Sequence, residues 1–240
     1  MGNYSIWIEL KSRNQIISRR GGKQVLKEIA DWRSIRKFDP TKPVTNEQLI
    51  SVLNAGRRAP SWKNLQPWKF IAIRKETDKL KLSEAFSMGV LIRKAPAVIL
   101  CVGLLEAWVK THQRDRLKEL LHHRGFNMSE EEIDKMYLDH ELAQALAIKP
   151  SALMARTFEN MGIAYGFMLL EAMNQGLGAC VVGETANELI VENNSKYNEI
   201  KQYFGLNESQ FITAAIVLGV PQKNEALNPR KPVEETYVLF

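Results

Sequence analysis

Cysteine is nearly absent from this chain. Its 240 residues hold two, Cys101 and Cys180, each inside an apolar run (AVILCVG and GACVVG). That excludes a zinc site built on cysteine pairs and a disulfide framework, and it points to a reducing compartment. Histidine is scarce as well. His112, His122, His123 and His140 form no H-x-x-x-H and no Cys/His pair, so they read as solvated helix residues and no metal is expected. No apolar run nears the roughly 20 residues of a membrane helix. The opening MGNYSIWIELKSRNQ lacks the apolar core of a secretory signal. The expectation is a cytoplasmic protein with no membrane partner. G-x-S-x-G and G-x-x-x-x-G-K-[ST] are both missing, which removes an α/β-hydrolase nucleophile and a P-loop. RNA-recognition and zinc-finger spacings are missing too, so no nucleic acid is expected. GLGACVVG carries part of a dinucleotide fingerprint, but it follows a helix instead of a strand and is not a Rossmann turn.

What is present suits one large domain. The hydrophobic share is 45% and the charged share 25%, and the net charge of +6 allows an anionic cofactor without requiring one. Residues 1–20 read as an N-terminal extension, and 21–240 as a single domain. Val25, Leu26 and Ile29 suggest a short helix over 23–32. Thr45 and Gln48 form a T-x-x-Q capping box ahead of Leu49, Val52, Leu53 and Gly56. The helix they begin should stop before Pro60. KFIAIR (69–74), APAVILCVG (95–103) and QFITAAIVLGVP (210–221) read as strands, the second of them buried, and ACVVG (179–183) as a short extended piece. ETDKLKLSEAFSM reads as a helix, as do stretches near 186–193 and 196–204. Residues 104–150 are charged and helical, with a second capping box at Ser129 and Glu132. From Ser151 to Gln175 runs the longest periodic segment. Met154, Phe158, Met161, Tyr165, Met168, Leu169 and Ala172 recur at threes and fours, and Gly162 and Gly166 thin it. The pattern is an α+β fold, a mixed or antiparallel sheet flanked by helices, with a long central helix and an extended, proline-marked tail.

Four stretches carry candidate chemistry. WRSIRKF (32–38) puts two guanidinium forks, Arg33 and Arg36, beside the Ser34 hydroxyl, a set that matches phosphate oxygens. APSWKNLQPWKF (59–70) packs Ser61, Asn64 and Gln66 among Trp62 and Trp68. Val182-Gly183-Glu184 is a turn where bare backbone can approach a ligand. NPRKP (228–232) holds Arg230 and Lys231 between stiffening prolines.

R-S-x-R, then PSxxNxQPWxF about 25 residues later, GLGxxxxG after the long helix, and a late R-K-P together resemble the nitroreductase family of flavin enzymes. The order and spacing match from about Gly22 to the end. The resemblance implies a homodimer with FMN at the subunit interface. Arg33, Ser34 and Arg36 would hold the FMN phosphate and ribityl chain, with Arg230 and Lys231 returning to the phosphate. Ser61, Trp62, Asn64 and Gln66 would reach the flavin from the partner subunit, the two amides suiting the ring's carbonyl and N–H edge. Val182, Gly183 and Glu184 would run along flavin N5, with a backbone N–H near Gly183 supporting the reduced ring. The implied reaction is ping-pong. NAD(P)H gives hydride to N5, then a nitroaromatic, quinone or enone takes the electrons, and no side chain is named as catalytic. The alternatives are a flavin-cleaving or dehalogenating relative, and a flavin- or nucleotide-binding sensor without turnover. Trp32 stands where many members have arginine. Met88 and Leu91 replace an Asn and a Lys used by some. The 104–150 excursion is read as a cover over the flavin face that sets substrate size, with Trp108, His112 and Tyr137 as its contacts, the alternative being a dimer-stabilising flap far from the chemistry.

Overall fold

The computed structural model describes residues 25–141, 143, 149–185, 195–223 and 226–239. The expected extension (1–20) and the expected helix near 186–193 lie outside them. The chain divides into two compact units, Met1–Trp32 and Arg33–Phe240. The described part of the first holds a single helical turn, α1 (Lys27–Ala30), closed at Asp31. This is shorter than the helix expected over 23–32. Val25, Leu26 and Ile29 are exposed, and a turn with no apolar face buried has little to extend it.

The second unit is built on a four-stranded sheet in the order β1-β2-β4-β3, antiparallel throughout. Its strands are β1 (Trp68–Ile73), β2 (Ala97–Leu104), β3 (Gly178–Val182) and β4 (Gln210–Gly219). The central pair explains its own sequence. β2 is buried from Ala97 to Gly103 and β4 from Phe211 to Gly219, because helices cover both faces. On one face Val98, Leu100, Val102, Ile212, Ala215 and Val217 share a core with Leu82, Phe86, Ile92, Tyr197 and Ile200. These come from α3 (Glu76–Ser83), α4 (Gly89–Lys94), α8 (Ser195–Tyr203) and the turn after α3. On the other face lies the long helix α7 (Pro150–Asn174). A Cβ on Gly103 would stand 2.8 Å from Thr157 of α7. Between Cys101 and Val102 the register slips by one residue, leaving Thr213 of β4 unpaired. Its hydroxyl donates to the Cys101 carbonyl (3.0 Å) and meets the Tyr165 hydroxyl of α7 (2.6 Å).

Helix α2 (Asn46–Arg57) starts at the capping box read from sequence, Thr45 and Gln48 exchanging bonds of 3.2 and 3.0 Å. Gln48 also caps the far end of α7, its amide donating to the Gln175 carbonyl at 2.9 Å. Gly56 lets α2 approach closely, since a Cβ there would sit 2.8 Å from Met168. Along α7, Thr157, Met161, Ala164, Met168 and Ala172 are buried, at helical spacing. Phe158 is not in that stripe as expected. It stands at the rim, edge-on to Phe211 with centroids 5.6 Å apart. Phe158, Ile163 and Phe167 remain 36%, 39% and 42% exposed, and nothing lies within 4 Å of where a Cβ would stand on Gly162 or Gly166.

The excursion between β2 and α7 is helical over its described part, as its composition implies. A 3-10 turn (Leu105–Trp108) leads to α5 (Lys110–His123), then α6 (Glu130–Ile133), which runs into a π-helical turn, Asp134–Leu138. Leu117, Leu121, Ile133 and Leu138 form a small core of their own. The Ser129–Glu132 capping box is formed as read.

Candidate active site

The loop from α2 to β1 has unusual backbone geometry. Lys63, Asn64 and Gln66 take φ values of 50°, 56° and 50°, a left-handed region that costs an ordinary L-residue roughly 1–2 kcal/mol. Bonds on all sides hold it. The Ser61 hydroxyl accepts the Gln66 N–H at 2.9 Å, and the Ser61 and Trp62 carbonyls accept the Asn64 and Leu65 N–H groups, each at 3.0 Å. Asn160 of α7 accepts the Trp62 N–H at 2.8 Å. Leu65 and Trp68 are buried, and Trp68 stacks on Phe70. The result sets two amides side by side, Gln66 Nε2 lying 3.3 Å from Asn64 Oδ1, both half-buried. Ser61, Trp62, Asn64 and Gln66 are therefore brought together, and Trp68 is an anchor.

The turn after β3 is pinned from outside. The Ser87 hydroxyl donates to the Glu184 carboxylate, and the Ser87 N–H to the Glu184 carbonyl at 3.3 Å. Phe86 and Thr185 form a bridge beside them. Glu184 is thus engaged through its side chain, which leaves backbone as what the turn offers. Gly183 is exposed, with open space where a Cβ would stand. Thr185 is 3% exposed, and its hydroxyl is buried without a hydrogen-bond partner, an arrangement that invites one.

The basic segment lies along the start of the same strand. The Ile35 N–H donates to the Ala179 carbonyl at 2.9 Å, and the Ile35 side chain fills the place of a Cβ on Gly178. Further on, Asp39 N–H bonds the Val220 carbonyl and Phe38 bridges to Pro221. Arg33 and Ser34 are half-buried and Arg36 is exposed. β3 separates this segment from the glycine turn by four residues, Ala179 to Gly183, roughly 13 Å of strand. Arg230 and Lys231 are exposed in the tail, where the Arg230 guanidinium donates to its own neighbours, the Asn228 and Pro229 carbonyls.

Of the three residues read as lining the cover, Trp108 is 4% exposed. Its indole N–H donates to Thr157 at 2.9 Å and its ring stands 5.7 Å from that of Trp62. His112 is exposed on α5. Tyr137 packs partly on the small helical core, and its carbonyl accepts the Lys63 ammonium at 2.7 Å. Burial holds the Lys63 pKa below the usual lysine value.

Sequence reading misses Asn160, Ser87 and the partner of Lys63. Asn160 and Thr157 have a signal, two polar residues on the buried stripe of an apolar helix. Ser87 and Lys63 have none, because their partners are distant in the chain. Among the described residues no three His, Cys, Asp or Glu side chains gather as a metal site, and no helix is long and apolar enough to cross a membrane. The structure brings the amides and indoles of the loop together, and it sets the basic segment and the glycine turn at the two ends of β3, at the other edge of the sheet. These groups suit recognition of a flat, polar-edged anion more than proton transfer.

The Nitroreductase family model matches residues 29–220. The chain is 28% identical over 202 residues to a Thermus thermophilus protein named NADH dehydrogenase, covering 84% of this chain and 89% of that one. It is also 28% identical over 221 residues to the Bacillus subtilis FMN reductase [NAD(P)H], covering 90% and 75%. An Exiguobacterium sibiricum protein, solved in complex with FMN, superposes with a TM-score of 0.71 at 19% identity, over 91% of this chain and 98% of that one. That is a likeness of fold. Arg230 and Lys231 lie beyond the matched span, while the basic segment, the amide loop and the glycine turn all fall inside it, and the match takes in every strand of the sheet: the chain belongs to the nitroreductase family.

Proposed function

We propose that this chain is an FMN-dependent oxidoreductase, reduced by NAD(P)H and oxidised by a small acceptor such as a nitroaromatic, quinone or enone. The observation that carries the reading is the loop holding Asn64 and Gln66 side by side in left-handed backbone. Strain of this kind persists where a ligand clamp needs it. The other residues fit the cofactor. Arg33, Ser34 and Arg36 at one end of β3 suit a phosphate and ribityl chain. The turn at Val182, Gly183 and Glu184, at the other end, suits the ring edge. The unpartnered Thr185 hydroxyl lies beside that turn. Arg230 and Lys231 are assigned to the phosphate from the family motif.

FMN, when bound, supplies the hydride-accepting centre at N5. The chain's own part is to hold, orient and screen. Asn64 and Gln66 present donors and acceptors to a ring edge, Gly183 lets backbone approach, and Trp62 with Trp108 excludes water. A positioned backbone N–H stabilises developing negative charge without a proton transfer.

The assembly is a homodimer. The face of α7 carrying Phe158, Ile163 and Phe167 around the open Gly162 and Gly166 suits a second helix, and a dimer lets each subunit complete the other's site. Light scattering that gave a flavin-loaded species of 27.4 kDa would exclude it. The protein acts in the cytoplasm, where the buried thiols Cys101 and Cys180 stay reduced.

A visible spectrum of the purified protein and anaerobic titration with NADH and NADPH test the reading. A flavin spectrum that bleaches supports it. A colourless protein that takes up no FMN ends it, and bound flavin that neither nucleotide bleaches leaves a sensor. Replacing Arg33 and Arg36 by alanine should weaken FMN binding by about 1.5–3 kcal/mol for each charge-assisted hydrogen bond removed.

A further inference from the structure

Lys63 sits awkwardly for a lysine. Its φ of 50° favours glycine, and its ammonium is drawn partly out of water, yet it follows neither the loop's internal bonds nor the sheet. It reaches 2.7 Å to the Tyr137 carbonyl, in the π-helical turn at the end of α6. On the way it lies 4.1 Å from the centre of the Trp62 ring, a cation–π distance. The last carbonyls of a helix lack intrahelical donors, so an ammonium is well received there.

The turn it grips is held from its other side as well. Lys110 of α5 bonds Asp134 and Asp139 at 2.9 and 2.6 Å, and Arg114 bonds Asp134 at 2.7 Å. Asp134 to Leu138 is therefore clamped between α5 and the amide loop. The helical segment has its own small core. Trp108, hydrogen-bonded to Thr157 and beside the Trp62 ring, ties its first turn to α7 and the loop. Lys63 ties its far end.

We propose that Lys63 is a positioning residue that latches the helical segment 105–139 to the loop bearing Asn64 and Gln66, and thereby sets the size of acceptor admitted beside the Trp62 and Trp108 rings. The assignment of acceptors rests on the flavin reading given above; the latch does not. Breaking it frees the segment's far end while Trp108 holds the near end, so the wall beside Asn64 widens and the loop's internal bonds stay.

Lys63→Met keeps the aliphatic stem and removes the ammonium, and Lys63→Arg keeps the charge and donors. Lys63→Gly, which relieves the left-handed backbone, replaces Lys63→Met if the latter misfolds. Hydrogen–deuterium exchange on the protein stripped of ligand should quicken at least tenfold at 134–139 in Lys63→Met, with the β2 and β4 amides unchanged, and return to the parent rate in Lys63→Arg. On FMN-loaded protein, KM for a bulky quinone should fall severalfold in Lys63→Met with kcat little changed, and KM for a small quinone should hold, while Lys63→Arg keeps the parent ranking. Unchanged exchange at 134–139 overturns the latch. Quickened exchange with an unchanged ranking of acceptors overturns its role in acceptor choice. A protein that binds no FMN at all fails the flavin reading alone, and the exchange result still decides the latch.

Discussion

The central sheet and the helical segment 105–139 are held by opposite means. In β2 and β4 almost every side chain is buried, so non-directional packing of side chains backs the backbone ladder. In the helical segment four apolar residues make a small core, and much of the rest is directional: the Lys110–Asp134–Arg114 network, the Trp108–Thr157 bond and the Lys63–Tyr137 bond. Burial fixes a scaffold because it needs no single partner. A few directional ties fix a segment only as long as each persists, and such a segment can open locally while the scaffold stays folded.

The sharpest test of that contrast is a matched pair of deletions. Leu100→Ala, at a fully buried site in β2, should destabilise the whole protein by about 2–5 kcal/mol. Its urea midpoint should fall with the slope unchanged. Ile133→Ala, equally buried but in the small core, should cost about 2 kcal/mol, near the low end because that site can relax. Its effect should appear as reduced exchange protection over 110–139 with β2 and β4 protected as before. A global shift as large as that of Leu100→Ala would show that the two regions are one cooperative unit.

The two capping boxes offer a milder pair. Thr45→Ala and Ser129→Ala should each cost about 1 kcal/mol. Thr45 begins the helix packed on α7, so its removal should lower the global melting temperature. Removal of the Ser129 hydroxyl should be visible only in exchange within α6 and the turn after it.

The smallest effect is set by acid. The Arg114 guanidinium holds the Asp134 carboxyl down at about 2, from an ordinary 3.8, with Lys110 assisting. A carboxylate whose folded pKa is depressed stabilises above its unfolded value and loses that contribution as pH falls through the folded one. Protection at 134–139 should therefore drop between about pH 4 and pH 2, and Asp134→Asn should abolish the drop. A drop centred near pH 6 would assign it to another group.

Legibility in the sequence follows the same division. The apolar runs of β2 and β4, both capping boxes and the length of α7 depend on neighbours within a few residues, and all can be read. So can the loop at 59–70, because amides and indoles ahead of a strand are conspicuous in one dimension. The period of Val25, Leu26 and Ile29 overstates the helix over 23–32, and those side chains are exposed. Phe158 is expected inside and stands at the rim, because a period does not say where a stripe ends. Ser87 with Glu184, and Lys63 with Tyr137, are pairs separated by 97 and 74 residues. No local pattern marks such a pair until the fold closes the distance.

The order β1-β2-β4-β3 also bears on how the chain is made. β2 pairs with β4 from Ala97↔Leu218 to Leu104↔Gln210, partners more than a hundred residues apart. On a ribosome adding about 5–20 residues per second, β2 waits on the order of 5–20 s for the strand that completes its pairing. Throughout that interval AVILCVG is an apolar strand with an open edge, the kind of segment that recruits other chains. The nascent protein is most exposed to aggregation before β4 emerges, and chaperone demand during synthesis should end when Gly219 clears the exit tunnel.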